Sequence, residues 1–273
     1  MSIIDKYRQE IIEGKPIKWN GLVFHPLKVR QFALYQAARD SFELMQKSLP
    51  PKLARMSWFP GLYALDKWFL EQTGTVKGYF ITAVRVIAAA LGMEKTDTKS
   101  PLPVGITPLV DKDGTMKTLC IQPRPGDDPV LLSMGKMNEL RELIAAQNGY
   151  TIPNENWNLE LYRAAKELEA DGGGTPLEYD MEALIYSVSV NTGIPANEIW
   201  DWEIRRFMKT QEAVDRKLDY LICTTAELSQ QIKFKDGSPC PSWKFPRAKG
   251  LPTGFKTVSE LDRESGGLLA GSK

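Results

Sequence analysis

The chain's one histidine, His25, stands in VFHP, directly before Pro26 and with no carboxylate or cysteine beside it. A histidine does acid-base work when a second group fixes its tautomer and answers its charge. No His dyad can be built, and His25 reads as a residue in the second arm of a β-hairpin. Cys120, Cys223 and Cys240 are odd in number and widely spaced, which fits neither a disulfide framework nor a zinc site. Cys223 and Cys240 have no base in sight that would make either a nucleophile. Asp111-Lys112-Asp113-Gly114 opens like a calcium loop, but Gln122 holds the place of the bidentate glutamate and Thr115 that of another ligand, so a hairpin turn accounts for it better. Gly172-Gly173-Gly174 lacks the Lys-Ser/Thr pair of a phosphate loop and reads as a joint. Asp127-Asp128 finds no third ligand nearby. We therefore assign no catalytic, cofactor-binding or metal-binding residue.

Two other clusters suit binding. Residues 191–207, NTGIPANEIWDWEIRRF, gather Trp200, Trp202, Arg205, Arg206 and Phe207. Tryptophan and arginine bury much area while keeping a polar handle, and they dominate the energetic centres of protein interfaces. Tryptophans two residues apart cannot share one helix face; one buries and the other meets a neighbour or a partner. These five residues are the expected partner-binding surface. The second cluster alternates Lys233, Lys235, Lys244, Arg247 and Lys249 with Phe234, Trp243 and Phe245, the mixture that single-stranded nucleic-acid binders use. It reads equally as a solvated strip whose aromatics dock on the core, and nucleic acid is the less favoured partner.

The elements that position these residues follow from periodicity and turn chemistry. Asn20-Gly21, between two β-prone runs, predicts a tight hairpin. Phe32, Tyr35, Ala38, Phe42 and Met45 stripe a helix from Val29 to Lys47, stopped by Pro50-Pro51. Leu62, Leu65 and Phe69 mark another helix, and Phe80, Val84, Ile87 and Leu91 a more apolar one over 76–91. The latter is too short to span a bilayer comfortably and carries Arg85. A proline-rich stretch holds a second hairpin around Asp113-Gly114. Ser133 and Asn148-Gly149 bound a helix carrying Met137, Leu140 and Ile144; Trp157, Leu161, Ala164 and Leu168 mark the next. Leu177, Met181, Leu184 and Val188 stripe a helix closed by Gly193. A long amphipathic helix then runs from about Asp201 to near Gln231 through Ile204, Phe207, Met208, Val214, Leu218, Leu221 and Ile222.

The expected fold is α+β and predominantly α-helical: an N-terminal hairpin with helices over 1–95, a small β insertion over 96–132, and a helical stretch over 133–170. A Gly-rich joint follows over 171–175, then a C-terminal helical region over 176–245 and a mobile tail over 246–273. The 273 residues are 42% hydrophobic and 25% charged, enough to bury a real core, and a net charge of +1 makes the whole molecule no trap for nucleic acid or anionic membrane. The N-terminal MSIIDKYRQEIIEG has no continuous apolar signal core, and the three thiols suit a reducing cytoplasm.

Three stretches, PIKWNGLVFHPLKVRQFALY, SLPPKLARMSWFPGLYALD and NTGIPANEIWDWEIRRF, together resemble the tail assembly chaperones and related tail-assembly proteins of bacteriophages, which commonly open with a short β-hairpin of this type. The resemblance covers about a third of the chain; the β insertion and the cationic end have no counterpart in the family pattern. It implies a non-enzymatic, protein-binding role without cofactor in the host cytoplasm: escorting the helical tape-measure protein, or the tail-tube protein, during assembly. Self-association is compatible with that role, a membrane partner is not. The alternatives are a baseplate or tail-completion component retained in the virion, and a nucleic-acid binder working through the basic tail.

Overall fold

The computed structural model describes residues 2–93, 102–156, 158, 160, 164, 180–229, 240 and 242–245. The chain is α+β and predominantly helical, with two small antiparallel sheets. It divides into two compact units, Met1–Leu159 with Glu178–Gln211, and Glu160–Leu177 with Glu212–Lys273.

In the first unit, α1 (Ile3–Lys6) and α2 (Arg8–Glu13) lead into the hairpin of β1 (Ile17–Trp19) and β2 (Leu22–Phe24). Trp19 pairs with Leu22 across a two-residue turn in which Asn20 and Gly21 take φ of 50° and 82°. Both positive angles fit the primed turn whose twist matches a hairpin. Ile17, Trp19, Leu22 and Phe24 point inward while Lys18 and Val23 face water, the period-2 alternation of a sheet with one wet side. His25 lies one residue beyond β2, not within the arm: it is exposed, and its backbone N–H goes to the Ala90 carbonyl at 2.7 Å.

The helix expected over 29–47 is shorter. A 3-10 turn at Val29–Gln31 precedes α3 (Phe32–Phe42). The early end has a tertiary cause: the buried Arg141 guanidinium donates to the Phe42 carbonyl at 2.6 Å and the Leu44 carbonyl at 3.0 Å, giving the orphan carbonyls there a donor that local sequence does not supply. Desolvation pulls the Arg141 pKa down to about 10, so it stays charged at neutral pH. The anticipated stripe Phe32, Tyr35, Ala38, Phe42 and Met45 is buried throughout. Pro51 does not stop that helix; it begins α4 (Pro51–Ala54) at a position where its missing N–H costs nothing.

Helices α5 (Trp58–Thr73) and α6 (Tyr79–Ala90) follow. Asp66 of α5, itself buried, caps α6 from outside: Oδ1 accepts the Gly78 and Tyr79 N–H groups at 2.9 and 3.0 Å, and Oδ2 accepts that of Phe80 at 2.9 Å. Helix α6 buries Phe80, Val84 and Ile87 and leaves Arg85 exposed; among the described residues no helix is long and apolar enough to cross a membrane. The second hairpin pairs β3 (Ile106–Val110) with β4 (Met116–Ile121), and an unforeseen third strand, β5 (Val130–Leu132), pairs with β4. Asp111 ties the turn, its Oδ1 accepting the N–H groups of Asp113 and Thr115. Gly105, at φ 88°, lies so close to Gln122 that a Cβ there would meet its carbonyl oxygen at 2.3 Å.

Helix α7 (Met134–Asn148) starts after Ser133, whose hydroxyl makes no capping bond, and ends at the left-handed Gly149. Its apolar residues join the hairpin, α3, α5, α6 and the three-stranded sheet in one core. Within that core Tyr35, Tyr150, Phe42, Trp58, Phe59 and Phe80 form an unbroken aromatic train with centroids 4.5 to 5.1 Å apart, the spacing at which rings attract beyond simple area burial. After the glycine joint, which lies outside the described residues together with most of the Trp157–Leu168 segment, come α8 (Met181–Thr192), α9 (Ala196–Ile199) and α10 (Ile204–Leu228). Gly193, at φ 74°, closes α8 as anticipated.

A candidate partner-binding face

The tryptophan segment sits in the link between α9 and α10 rather than on a helix, and the backbone fixes it there. Residues 200–204 run antiparallel to 27–30: Arg30 N–H donates to the Trp200 carbonyl at 3.2 Å, Val29 N–H to the Trp202 carbonyl at 2.9 Å, and Ile204 N–H to the Leu27 carbonyl at 2.8 Å. Lys28 and Glu203 form the bridge. The partner segment is itself held by two buried amides at the end of α7. Asn148 Oδ1 accepts the Leu27 N–H at 2.7 Å, and Gln147 Nε2 donates to the Phe24 carbonyl at 3.0 Å. The buried polar end of α7 thus sets where Trp200 and Trp202 lie.

The two side chains differ in burial, though not by the helix-face argument, since neither stands on a helix. Trp202 is 8% exposed and packs with Val29, Ile185, Val188, Ile199 and Phe207 in a second apolar cluster. Trp200 is 37% exposed and belongs to neither cluster. Phe207 is fully buried. Of the five residues expected to form a contact surface, Trp202 and Phe207 are therefore supports: they stand inside, because the extended link and the first turn of α10 aim them at α8 and α9. The Arg206 guanidinium covers the Trp202 ring at 4.2 Å from its outer side. Asp201, between the tryptophans, is ion-paired with Arg30 and, at 3.8 Å, with Lys28.

Arg205 faces the other way. Its Nη1 donates to the Ile11 carbonyl at 3.3 Å, one of the orphan acceptors at the end of α2. There it forms the rim of a groove of about 360 Å³ that sequence reasoning missed. Ile4, Ile11 and Ile12 supply one wall, Ala145, Ala146 and Tyr150 the other, and Arg8 joins Arg205 at the edge. Ile4 and Ile12 are exposed, and Arg8 is exposed without an ion pair among the described residues. The sequence signal that could have found it is the spacing of Ile4, Arg8, Ile11 and Ile12, which places apolar residues and a cation together at the N-terminus. An apolar floor with a few convergent polar groups is the usual chemistry of a recognition groove, and here the polar groups are the cations Arg8 and Arg205.

His25 is exposed; Cys120, Cys223 and Cys240 are partly covered and form no disulfide among the described residues. Among the described residues no three His, Cys, Asp or Glu side chains come together as metal ligands. Of the basic aromatic tail only Trp243, Lys244 and Phe245 are described, with Lys244 5.6 Å from the centre of the Trp243 ring; Lys233, Phe234, Lys235, Arg247 and Lys249 lie outside the described residues. Comparison with protein-family models, with curated proteins and with solved structures finds no match to this chain.

Proposed function

We propose that this chain is a protein-binding factor of bacteriophage tail assembly, working in the host cytoplasm without catalysing a reaction, and that it escorts the tape-measure protein by holding an apolar helical segment of it. The observation that carries the binding half is the groove of Ile4, Ile12, Ala146 and Tyr150 rimmed by Arg8 and Arg205, with exposed Trp200 on the same unit. A helix laid in such a groove buries its apolar stripe, and an acidic residue at its edge meets the arginines. The tail-assembly half is supported by the three stretches that resemble that family, two of which form the opening hairpin and the pinned tryptophan link.

The test is co-purification of the chain with tape-measure and tail-tube proteins expressed beside it. Ile12→Glu combined with Arg8→Glu should lower capture at least about tenfold while leaving far-UV circular dichroism unchanged, since both side chains are exposed. Undiminished capture by the double variant refutes the groove. Failure of the wild-type chain to capture either protein refutes the escort role, and its presence in purified virions at fixed ratio makes it a structural component instead.

A further inference from the structure

The chain holds two Asn-Gly pairs, Asn20-Gly21 and Asn148-Gly149, and the fold treats them oppositely. An asparagine side-chain amide is an electrophile, the backbone nitrogen of the next residue is a nucleophile one ring closure away, and asparagine is thermolabile for this reason. A glycine in second place has no Cβ to hinder the approach. Asn148 is closed to this chemistry. It is fully buried, its Oδ1 accepts the Leu27 N–H at 2.7 Å, its Nδ2 donates to the Ile144 carbonyl at 2.9 Å, and the Gly149 N–H is held by the Ala145 carbonyl at 2.8 Å. The related Asp113-Gly114 pair has its glycine N–H on the Asp111 carbonyl at 3.0 Å. Asn20 and Gly21, at the tip of the first hairpin, are both exposed, and neither the Asn20 amide nor the Gly21 N–H makes a hydrogen bond among the described residues. Apart from its two chain neighbours, no atom lies within 4 Å of where a Gly21 Cβ would stand, so nothing blocks rotation of that peptide toward the side chain.

We propose that Asn20 is a site of spontaneous covalent modification. The Gly21 nitrogen bonds to the Asn20 Cγ, the Cγ–Nδ2 bond breaks, and the Gly21 amide proton leaves with that nitrogen as ammonia, closing a cyclic imide. Water then adds to one of the imide's carbonyls. Opening at Cγ restores the backbone with aspartate at position 20; opening at the main-chain carbonyl leaves an isoaspartate, through whose side-chain carbons the chain now runs. Neither step oxidises or reduces anything. The products differ in consequence. Asp-Gly suits the same primed turn as Asn-Gly, so the aspartate form keeps the hairpin. Isoaspartate adds a backbone carbon between Trp19 and Leu22, which are paired and both buried, and a two-residue loop that fixes the register has no slack to absorb it. The disturbance runs along β2 to Phe24 and Leu27, the residues that Gln147 and Asn148 hold. The turn thus carries a one-way, time-dependent loss of the hairpin, independent of the groove.

The test is incubation of the full chain in warm, mildly alkaline buffer, sampled over weeks by peptide mass spectrometry, with electron-transfer fragmentation separating isoaspartate from aspartate. Asn20 should gain about 1 Da, at least about tenfold faster than Asn148, which reacts only after its bonds open. Both isomers should form, and the isolated isoaspartate form should melt below the fresh chain while the aspartate form melts with it. Asn20→Gly, which keeps a turn that accepts positive φ, should show neither the mass gain at this position nor the fall in melting temperature over the same incubation. An Asn20 that stays unmodified, an Asn148 that converts as fast, aspartate formed without isoaspartate, or equal melting of the two isomers overturns the inference.

Discussion

Replacing each of the two neighbouring tryptophans by alanine should give unequal results, although local sequence barely distinguishes them. Trp202 is 8% exposed, so nearly all of an aromatic side chain of roughly 200 Å² or more is covered. At about 25 cal/mol per Å² its burial is worth close to 5 kcal/mol as an upper bound. Measured truncations of this kind cost about 3–5 kcal/mol because the cavity does not close completely. Loss of the Arg206 guanidinium contact on the ring adds about 0.5–1 kcal/mol. Trp200, 37% exposed and outside both clusters, should cost about 1–2 kcal/mol, because only part of its ring leaves water. The assay is urea denaturation followed at 222 nm, comparing midpoints at constant slope. Trp202→Ala should lower the midpoint sharply, with a melting temperature depressed by roughly 10 °C; Trp200→Ala should shift it slightly and act instead on partner capture. Equal losses for the two variants, or a loss below about 1 kcal/mol for Trp202→Ala, refute the packing argument.

Two further predictions concern buried polar groups. Asn148→Ala should destabilise the chain by about 1–3 kcal/mol by stranding the Leu27 N–H, and amide exchange at Leu27 should accelerate, which apolar substitutions elsewhere on α7 would not reproduce. Asp66→Asn keeps an oxygen for Gly78 and Tyr79 but turns an amide N–H toward that of Phe80, at a cost of about 1–3 kcal/mol. It should also change the pH profile. Burial raises the Asp66 pKa against the pull of its three amide donors, so the folded chain binds this proton more tightly than the unfolded one. The stability contributed is complete below the unfolded aspartate pKa and is lost as pH rises through the folded value; thermal melts of Asp66→Asn across the acid range should lack that decline.

Local sequence was enough wherever an element's cause is local. Asn20-Gly21 specifies its turn because few other pairs tolerate two positive φ angles, Gly149 and Gly193 end their helices for the same reason, and the stripe from Phe32 to Met45 reads correctly as core since its spacing matches one helix face. The different burial of the two tryptophans was not settled locally, because the helix face invoked to separate them is absent from the link that carries them. The rest depends on groups distant in sequence. Arg141 ends α3 across 99 residues, Asp66 caps α6, and Asn148 anchors Leu27 across 121 residues. No pattern in a single chain announces a buried arginine or asparagine in search of a carbonyl or an amide. The groove is likewise a product of assembly, since Arg8 and Arg205 meet only once α2, α7 and α10 are packed. Periodicity records which face of an element avoids water, because that is decided within a few residues. Which tryptophan is covered, and which cations are left without a partner, is decided by what the tertiary fold places on top of them.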